Sequence, residues 1–330
     1  MKEKVIQTIK KNKLIINGDK IVLGVSGGPD SISMLDILRK IKEENIIQFD
    51  IVVVHINHLI REEAVEDEEY VKKYCEKNGI ECYIKRIDVQ ELAQNKKIGT
   101  EEAGRKARYE FFDEISQKTS SNKIAVAHNK NDKIETIIMH VLRGSGTSGL
   151  IGIEPIRDNK YIRPLIECER KEIEEYCDNQ KLEPRIDKTN FENEYTRNKI
   201  RNIVIPYIKM EFNPNIIETI NRLSDVVKEE ETYINKIVEQ TYKKLLIEKS
   251  KKEIVLDLKQ FNEQDEVIKN RVILYTVKLI NGSTQGVEKI HIRDIVKLCN
   301  NNIGNKYLTP NKNLKILIKN KKIFFISQIV

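Results

Sequence analysis

This 330-residue sequence contains no tryptophan, only five cysteines and no long apolar run. A helix needs about 20 consecutive apolar residues to cross a bilayer, so no membrane-spanning segment is expected. The N-terminus lacks the apolar core of a signal peptide and instead predicts a short basic amphipathic helix. The cysteines form no C-x-x-C pair, which argues against a disulfide framework or zinc site and favours a reducing, cytoplasmic location. They are Cys75, Cys82, Cys168, Cys177 and Cys299.

The two best-known phosphate-binding motifs are also missing. A Walker loop ends in Gly-Lys-Ser/Thr, but here Gly28 is followed by Pro29 and Asp30. The glycines near the N-terminus also have the wrong spacing for the dinucleotide motif G-x-G-x-x-G. A P-loop and a classical dinucleotide site are therefore not expected.

The stretch VLGVSGGPDS at residues 22–31 combines a buried strand, a glycine turn and the start of a helix. Glycines leave room for a ligand, and the N–H groups of a following helix favour an anion. The turn therefore predicts a phosphate site, and an ordinary βα loop capped by Asp30 or Ser31 is the alternative. The predicted cofactor-binding residues are Ser26, Gly27, Gly28, Pro29, Asp30 and Ser31.

Strands and helices alternate through the first part of the chain, which predicts a doubly wound parallel α/β sheet. The predicted strands are 20–25, 49–56, 81–86 and 123–127, followed by a short one near 161–165. The predicted helices are 31–44, 63–78, 101–118, 131–142 and 169–180. In such a sheet, ligands bind at the carboxyl ends of the strands.

The second part of the chain predicts a long charged helix over 216–247 and a mainly helical domain ending in a β-hairpin. Helices are predicted at 266–280 and 287–300, and the hairpin strands at 314–318 and 323–326. From Thr241 onward there are 18 Lys and Arg against 8 Asp and Glu, whereas the preceding residues hold 40 and 43. This asymmetry suggests a polyanionic partner, although the lysine bias of an AT-rich genome would also produce it.

Polar residues follow the predicted second strand and occupy the helix after the third. HINHLIR contributes His55, Asn57, His58 and Arg61 as candidate ligand contacts, and the alternative is that the two histidines are simple loop residues. EEAGRKARYEFF places Arg105 and Arg108 three apart on one helix face, where pairing with glutamates such as Glu101 is the alternative.

The segment after the predicted fourth strand carries the candidate acid and metal site. His128, Asp132 and Glu135 lie where a helix begins, and the two carboxylates share one face. Beside a phosphate site, the carboxylates of Asp132 and Glu135 are natural Mg²⁺ ligands, directly or through water, and Asp30 and Asp132 are the predicted metal residues. Stabilisation of the helix dipole is the alternative for Asp132 and Glu135. Arg143 ends this helix in a glycine-rich loop able to approach phosphate.

A run of polar residues, RIDKTNFENEYTRNKIRNIVIP, completes the candidate site. Arg197 and Arg201 are four apart and predict a phosphate clamp on one helix face, with Asn198 beside them. Ion pairs with Glu192 and Glu194 are the alternative.

Together, and in this order, SGGPDS, HINHLIR, EEAGRKARYEFF, AHNKNDKIET, LRGSGTSGL, RPL and DKTN…TRNKIRNIVIP resemble the tRNA(Ile)-lysidine synthetases. These belong to the N-type ATP pyrophosphatase (PP-loop) superfamily. The resemblance is close over residues 20–210 and holds in outline beyond them. Asn131 is a departure, because many members carry a second Asp there. Many members also carry a further C-terminal domain that grips tRNA, so we interpret this sequence as a short form or a truncated chain.

The resemblance implies a ligase that uses ATP and Mg²⁺. Its partners would be free L-lysine and the isoleucine tRNA with a CAU anticodon, and a homodimer is compatible with the sequence. Residues 1–212 would be catalytic, 213–250 a helical linker and 251–330 a small tRNA-binding domain. Asp30, Asp132, Glu135 and Arg201 are the implied catalytic residues. Residues His58, Arg61, Arg105, Arg108, His128, Arg143, Arg197 and Asn198 are implied to contact tRNA or lysine.

Three other functions fit the same residues less well. Sulfur-inserting tRNA enzymes share the phosphate loop but need catalytic cysteines or a cluster, and no cysteine here is paired at short spacing. Amidotransferases need an ammonia source, and no glutaminase-like region is evident. A non-catalytic nucleotide-binding module would have no use for the carboxylates and arginines.

Overall fold

The computed structural model divides into two units, Met1–Val227 and Lys228–Val330. A six-stranded sheet forms the centre of the first unit. The structure describes residues 1–59, 64–185, 195–301 and 306–328. The division falls within one long helix. The three expected segments, 1–212, 213–250 and 251–330, and their separate roles stay a prediction.

The sheet of the first unit has the strand order β3-β2-β1-β4-β6-β5, and every neighbouring pair is parallel except β5 with β6. The predicted doubly wound parallel sheet is therefore confirmed. The sequence did not reveal β5, which has only two residues. The strands are β1 Asp19–Gly24, β2 Phe49–Asn57, β3 Glu81–Arg86, β4 Lys123–Ala125, β5 Ile156–Arg157 and β6 Tyr161–Ile162.

The five helices predicted with bounds in this unit are present within two residues of their expected ends, whereas α4 and α9 were not predicted. They are α1 Lys2–Asn12, α2 Pro29–Glu43, α3 Ala64–Lys77, α4 Val89–Lys96, α5 Thr100–Lys118, α6 Lys130–Leu142, α7 Arg170–Gln180, α8 Thr196–Lys199 and α9 Ile205–Glu211. A 3₁₀ turn at Thr147–Ile151 follows α6, and a π-helical turn at Ile200–Val204 joins α8 to α9.

Side chains alternate between the two faces of this sheet along each strand, and helices cover both faces. Ile21 and Leu23 of β1 face a core built with α1, α2, α3 and α7. Val22 between them faces the opposite side, where Phe111 and Phe112 of α5 pack. Apolar residues in unbroken runs therefore form strands covered by helices on both sides.

The order of strands reverses at β1, whose neighbours are β2 on one side and β4 on the other. The crevice between the carboxyl ends of β1 and β4 is the position at which such sheets bind ligands. The glycine turn follows β1 directly, and the segment containing His128 follows β4. The fold thus brings the two richest polar segments of the sequence to one place.

The second unit contains an antiparallel five-stranded sheet in the order β7-β8-β11-β10-β9, packed against helices in a separate core. The predicted hairpin is confirmed as β10 and β11, with Lys319 opposite Lys322. Strands β7, β8 and β9 were not predicted. The elements are α10 Ile216–Leu245, which spans the division, β7 Leu246–Lys249, β8 Glu253–Asp257, α11 Leu258–Asn262, α12 Glu266–Asn281, α13 Lys289–Asn301, β9 Lys306–Asn311, β10 Leu314–Lys319 and β11 Lys322–Ser327.

No helix within the described ranges is both long enough and apolar enough to span a membrane.

Candidate active site

The turn between β1 and α2 is held in shape by its own serines. The Ser31 hydroxyl donates to the Gly28 carbonyl at 3.0 Å and accepts from the Ser26 N–H at 3.1 Å. Gly27 has φ of +94°, which a residue with a Cβ rarely adopts. The turn is therefore held by its own hydrogen bonds, and its binding of phosphate stays a prediction.

The N-terminus of α2 faces out of this turn. Gly28 is the N-cap, Pro29 occupies the first turn, and no side chain within the described part of the chain caps the helix. Uncapped N–H groups and the dipole of this 15-residue helix favour an anion at this end. The turn and the helix together form a cradle suited to phosphate oxygens.

Asp30 connects this cradle to the segment that follows β4. Its Oδ1 accepts a hydrogen bond from Asn129 Nδ2 at 2.9 Å. Burial, reinforced by the negative charge of Asp132, raises the pKa of Asp30 to about 6, although the Asn129 hydrogen bond opposes the change. Asp30 is thus a carboxyl group that ionises near neutral pH.

A capping box starts α6 and fixes Asp132. The Asn129 side chain accepts from the Asp132 N–H, and Asp132 Oδ2 accepts from the Asn129 N–H, both at 3.0 Å. This reciprocal pair orients the first turn of α6, so Asp132 and Glu135 lie on one face of the helix.

Two arginines bind this pair of carboxylates. Arg197 Nε donates to Glu135 Oε2 at 2.9 Å, and Arg201 Nε donates to Glu135 Oε1 at 2.7 Å. The Nη2 atoms of Arg197 and Arg201 lie 3.0 and 3.1 Å from Asp132 Oδ1. Arg170 adds a third guanidinium, at 3.8 Å from Asp132 and 3.7 Å from Glu135.

The charges in this cluster balance. Asp132 and Glu135 are buried, and burial alone would raise the pKa of Asp132, but the charge of Arg197 followed by other contacts lowers it. The carboxylates of Asp132, Glu135 and ionised Asp30 match the guanidiniums of Arg170, Arg197 and Arg201 in number. A ligand with separated anionic and cationic groups could exchange partners with this cluster at little electrostatic cost.

The histidines of the site are neutral at physiological pH. Burial lowers the pKa of His58 and of His128 to about 4, and nearby arginine charges contribute to both shifts. His55 Nε2 and His58 Nδ1 are buried, and neither has a hydrogen-bond partner within the described ranges. A neutral imidazole can donate from one ring nitrogen and accept at the other, so it suits an uncharged partner such as a nucleobase.

The remaining predicted residues are less closely grouped. Arg105 and Arg108 are exposed on α5, where Arg105 stacks over Tyr109. Arg143 is exposed at the far end of α6, about 16 Å along the helix from Asp132. Asn198 is half-buried on α8. Arg61, like Glu192 and Glu194, lies outside the described residues.

Sequence reasoning missed Asn129, Arg170 and Arg163. Asn129 follows β4 and Arg163 follows β6, so their positions at the carboxyl ends of parallel strands could have identified them. Arg163 Nε lies 3.4 Å from His128 Nδ1. Arg170 begins α7 and gave no comparable signal.

The donors present determine how a Mg²⁺ ion would fit. Both oxygens of Asp132 accept hydrogen bonds, from the arginines and from the backbone. No group of three or more His, Cys, Asp or Glu within the described part of the chain could hold a metal ion. Asp30 has one oxygen bound by Asn129, which leaves the other for a ligand. This donor set suits an ion held mainly by phosphate oxygens and one carboxylate, a common arrangement for Mg²⁺.

Comparison with known proteins agrees with the geometry. The family model described as a PP-loop domain, ATP_bind_3, matches residues 1–208. A tRNA(Ile)-lysidine synthase from Clostridium acetobutylicum is 46% identical over 93% of this chain and 66% of that protein. A tRNA(Ile)-lysidine synthase from Clostridioides difficile is 45% identical over 99% of this chain. The chain spans 66% of the length of the first of these curated relatives and 70% of the second.

A solved structure shares the fold of the chain. The U34-tRNA thiolase NcsA from Methanococcus maripaludis, solved with its [4Fe-4S] cluster, has a TM-score of 0.57 and 19% identity. The likeness covers 69% of this chain and 78% of that one. At this identity it supports the architecture alone.

Proposed function

The chain belongs to the PP-loop family and, within it, to the tRNA(Ile)-lysidine synthases, and from this membership we propose its reaction. It joins free lysine to C2 of the wobble cytidine in the isoleucine tRNA with a CAU anticodon. ATP is converted to AMP and pyrophosphate through an adenylated cytidine. The observation that carries the proposal is the buried cluster of Asp132 and Glu135 with Arg197 and Arg201, close to the phosphate turn.

In the first step the cytidine O2 attacks the α-phosphorus of ATP, and the bond to the β-phosphate breaks. The residues Ser26–Ser31 hold the β- and γ-phosphates, because the turn and the uncapped α2 N-terminus supply N–H donors. These donors need no rearrangement as charge develops on the departing pyrophosphate. Catalysis here is electrostatic, with no covalent bond to the protein.

Asp30 and the phosphates would hold Mg²⁺, which supplies further neutralisation of the phosphate charge when bound. Asp132 fits this role less well than its sequence position suggests, because arginines and a backbone N–H occupy its oxygens. A cation at the phosphates would also favour the ionised form of Asp30.

In the second step the ε-amine of lysine attacks C2, and AMP leaves with the former cytidine O2. We propose that Arg197 and Arg201 turn from the carboxylates toward the phosphate of the adenylated cytidine, which frees Glu135 and Asp132 for the lysine ammonium. Either carboxylate could then accept the proton that the amine must lose before attack. This exchange keeps every buried charge paired.

The other predicted residues are assigned to the tRNA. The wobble base must leave the anticodon stack to reach the site, and His58 and His128 offer neutral hydrogen-bonding groups for it or for adenine. Arg105, Arg108 and Arg143 are exposed cations suited to the loop phosphates, with Arg61 and Asn198 as further candidates. The five free cysteines suit a cytoplasmic enzyme.

The direct test supplies the chain with this tRNA, ATP and one candidate donor at a time and measures AMP release. We expect release with lysine, and none with ammonia, a sulfur donor or other common amino acids. Equal release with ammonia or with the sulfur donor would assign the protein to one of the rival classes.

A second test addresses the carboxylate assignment. Glu135→Gln removes the charge that would pair with the lysine ammonium. We expect kcat/KM for lysine to fall about 10- to 150-fold, the size of a charged hydrogen bond, with a much smaller change in KM for ATP. Glu174→Gln, an exposed change on α7, is the control and should leave both values unchanged. A Glu135→Gln enzyme with an unaltered response to lysine would refute the assignment.

A further inference from the structure

The helical stretch that carries Arg197 and Arg201 presents an exposed apolar stripe on another face. Ile203, Tyr207 and Met210 follow the spacing i, i+4 and i+7 and are 52%, 54% and 74% exposed. Phe212 is 74% exposed, and its ring meets that of Tyr207 edge-on, with 6.0 Å between the centroids. Side chains at this spacing share one helix face, so they form one continuous surface.

This surface takes no part in the hydrophobic core, because the same stretch packs against the core with a different face. Ile200 and Ile205 are almost fully buried against Ile134 and Ile137 of α6 and Ile217 of α10. The stretch is therefore anchored without the stripe, and the exposed side chains contribute little to its attachment.

Exposed aromatic rings are concentrated here. Within the described residues of the first unit, the aromatic side chains with high exposure are Tyr195, Tyr207 and Phe212, all in this stretch. The other described Tyr and Phe side chains of that unit are buried or half-buried. Singly exposed apolar residues are common, but rings grouped beside a candidate active site mark a surface that binds something.

The charge around the stripe indicates the chemistry of its partner. Residues 195–212 contain Arg197, Lys199, Arg201 and Lys209, against the single acidic residue Glu211. Proteins bind single-stranded RNA by stacking bases on aromatic rings inside basic surroundings. A second copy of this chain would bring an equally positive surface, which opposes such contact.

On the premise of the proposed function, we propose that Tyr207 and Phe212 stack unpaired bases of the tRNA anticodon loop that neighbour the reacting cytidine. Tyr207 lies six residues beyond Arg201, about 9 Å along the helix. That separation is short enough for one loop to reach the stripe with one base and the carboxylate cluster with another. The two rings would hold the loop while the wobble base is out of its stack.

The test measures binding of an RNA hairpin with the CAU anticodon loop to the full chain, varying the salt concentration. Tyr207→Ala and Phe212→Ala should each weaken binding between about fivefold and about 150-fold, the range for loss of one base stack. The slope of log affinity against log salt should stay unchanged, because no phosphate contact is lost. Tyr207→Phe and Phe212→Tyr keep a ring and should bind as the parent does.

Two controls separate stacking from other contacts. Ile203→Ala removes an exposed side chain of the same stripe that has no ring, and it should bind the hairpin normally. A hairpin with 2-aminopurine in the loop should lose fluorescence on binding the parent but much less on binding Phe212→Ala. Circular dichroism checks that each variant is folded, as expected for such exposed positions.

Several results would overturn the proposal. These are unchanged hairpin affinity of both alanine variants, an equal loss in Ile203→Ala, or no hairpin binding by the parent chain. A dimer that dissociates on Tyr207→Ala, with RNA affinity unaltered, would assign the stripe to a second copy. Hairpin binding that depends on the rings, combined with no AMP release in the lysine assay, would support this inference and reject the proposed reaction.

Discussion

At the residue scale, ionisation of Asp30 lowers the stability of the fold, whereas the proposed function needs the ionised form. Its pKa is raised from 3.8 to about 6, chiefly by burial and then by the charge of Asp132. The folded protein therefore binds this proton more tightly than the unfolded chain, so the contribution of Asp30 to the unfolding free energy falls as pH rises from about 4 to about 6. Above that range the fold carries a partly buried negative charge, which suits the binding of a cation such as Mg²⁺.

We predict that Asp30→Asn abolishes ATP-dependent AMP release yet stabilises the fold at high pH. The neutral amide avoids the cost of the buried charge, so the unfolding free energy of the first unit at pH 8 should rise by about 1–3 kcal/mol. The gain should shrink toward pH 4, where Asp30 is protonated. Denaturant unfolding at several pH values measures this gain and its change with pH.

The matched control for this prediction is Asp88→Asn, because Asp88 caps α4 at the surface. That change should give no comparable gain at pH 8. An Asp30→Asn protein that is less stable than the parent at pH 8, or that retains near-normal turnover, would contradict the account.

At the element scale, α6 is held on two faces. One face carries Asp132 and Glu135, and another is tied to the start of α10. Lys133 Nζ donates to Asn221 Oδ1 at 2.9 Å and lies 3.4 Å from Asp225, and Lys130 Nζ lies 2.9 Å from Glu218. Since Lys130 and Lys133 are 7% exposed, these contacts fix how α6 lies and where its carboxylates point.

We predict that Lys133→Met destabilises the first unit by about 1–3 kcal/mol, because the buried Asn221 oxygen loses its charged donor. Activity should fall as well, through kcat more than through KM for ATP. Lys171→Met is the control, because Lys171 pairs only loosely with Glu175 on an exposed surface. It should change stability by less than about 0.5 kcal/mol. Equal effects of both substitutions in urea unfolding would show that the α6–α10 contact has no special role.

Elements with strong local patterns could be predicted from sequence, and those that depend on distant partners could not. The apolar runs of β1 and β2 and the helical spacing of α2 and α6 predicted elements whose observed bounds differ by at most two residues. Strand β5 has two residues, and β7 is mostly exposed, so neither has an apolar pattern to detect. Both depend on pairing with a neighbouring strand.

The same limit applies to the site. The spacing of Arg197 and Arg201 predicted a shared face directed at phosphate. Their pairing with Asp132 and Glu135 joins residues more than 60 positions apart, which no local pattern reveals. The turn between β1 and α2 was predictable because its glycines, serines and aspartate are contiguous, and its phosphate role stays a prediction.

At the scale of the whole molecule, positive charge is concentrated in the second unit. Lys228–Val330 holds 20 Lys and Arg against 12 Asp and Glu, whereas Met1–Val227 holds 38 against 39. Lys319, Lys321 and Lys322 cluster at the turn between β10 and β11. Such a distribution suits contacts with tRNA backbone phosphates, which carry no sequence information.

We predict that changing Lys319, Lys321 and Lys322 to Gln weakens tRNA binding and reduces its salt dependence. Each lost phosphate contact should lower the slope of log affinity against log salt by about 0.7 to 0.9. The control changes Lys10, Lys11 and Lys13 to Gln, at the end of α1, and should leave the slope as it was. An unchanged slope in the variant of Lys319, Lys321 and Lys322 would mean that these lysines reflect genome composition. The first unit would then bind the tRNA alone.

The most direct test of the central claim is mass spectrometry of nucleosides from the CAU-anticodon isoleucine tRNA after incubation with the chain, ATP and lysine labelled with ¹⁵N at the ε-nitrogen. We predict one modified cytidine at the wobble position that carries the lysine and its label, formed only when ATP is present and accompanied by AMP. Glu135→Gln should yield far less of it. An unmodified wobble cytidine, or one modified by sulfur or by ammonia in place of lysine, would contradict the account.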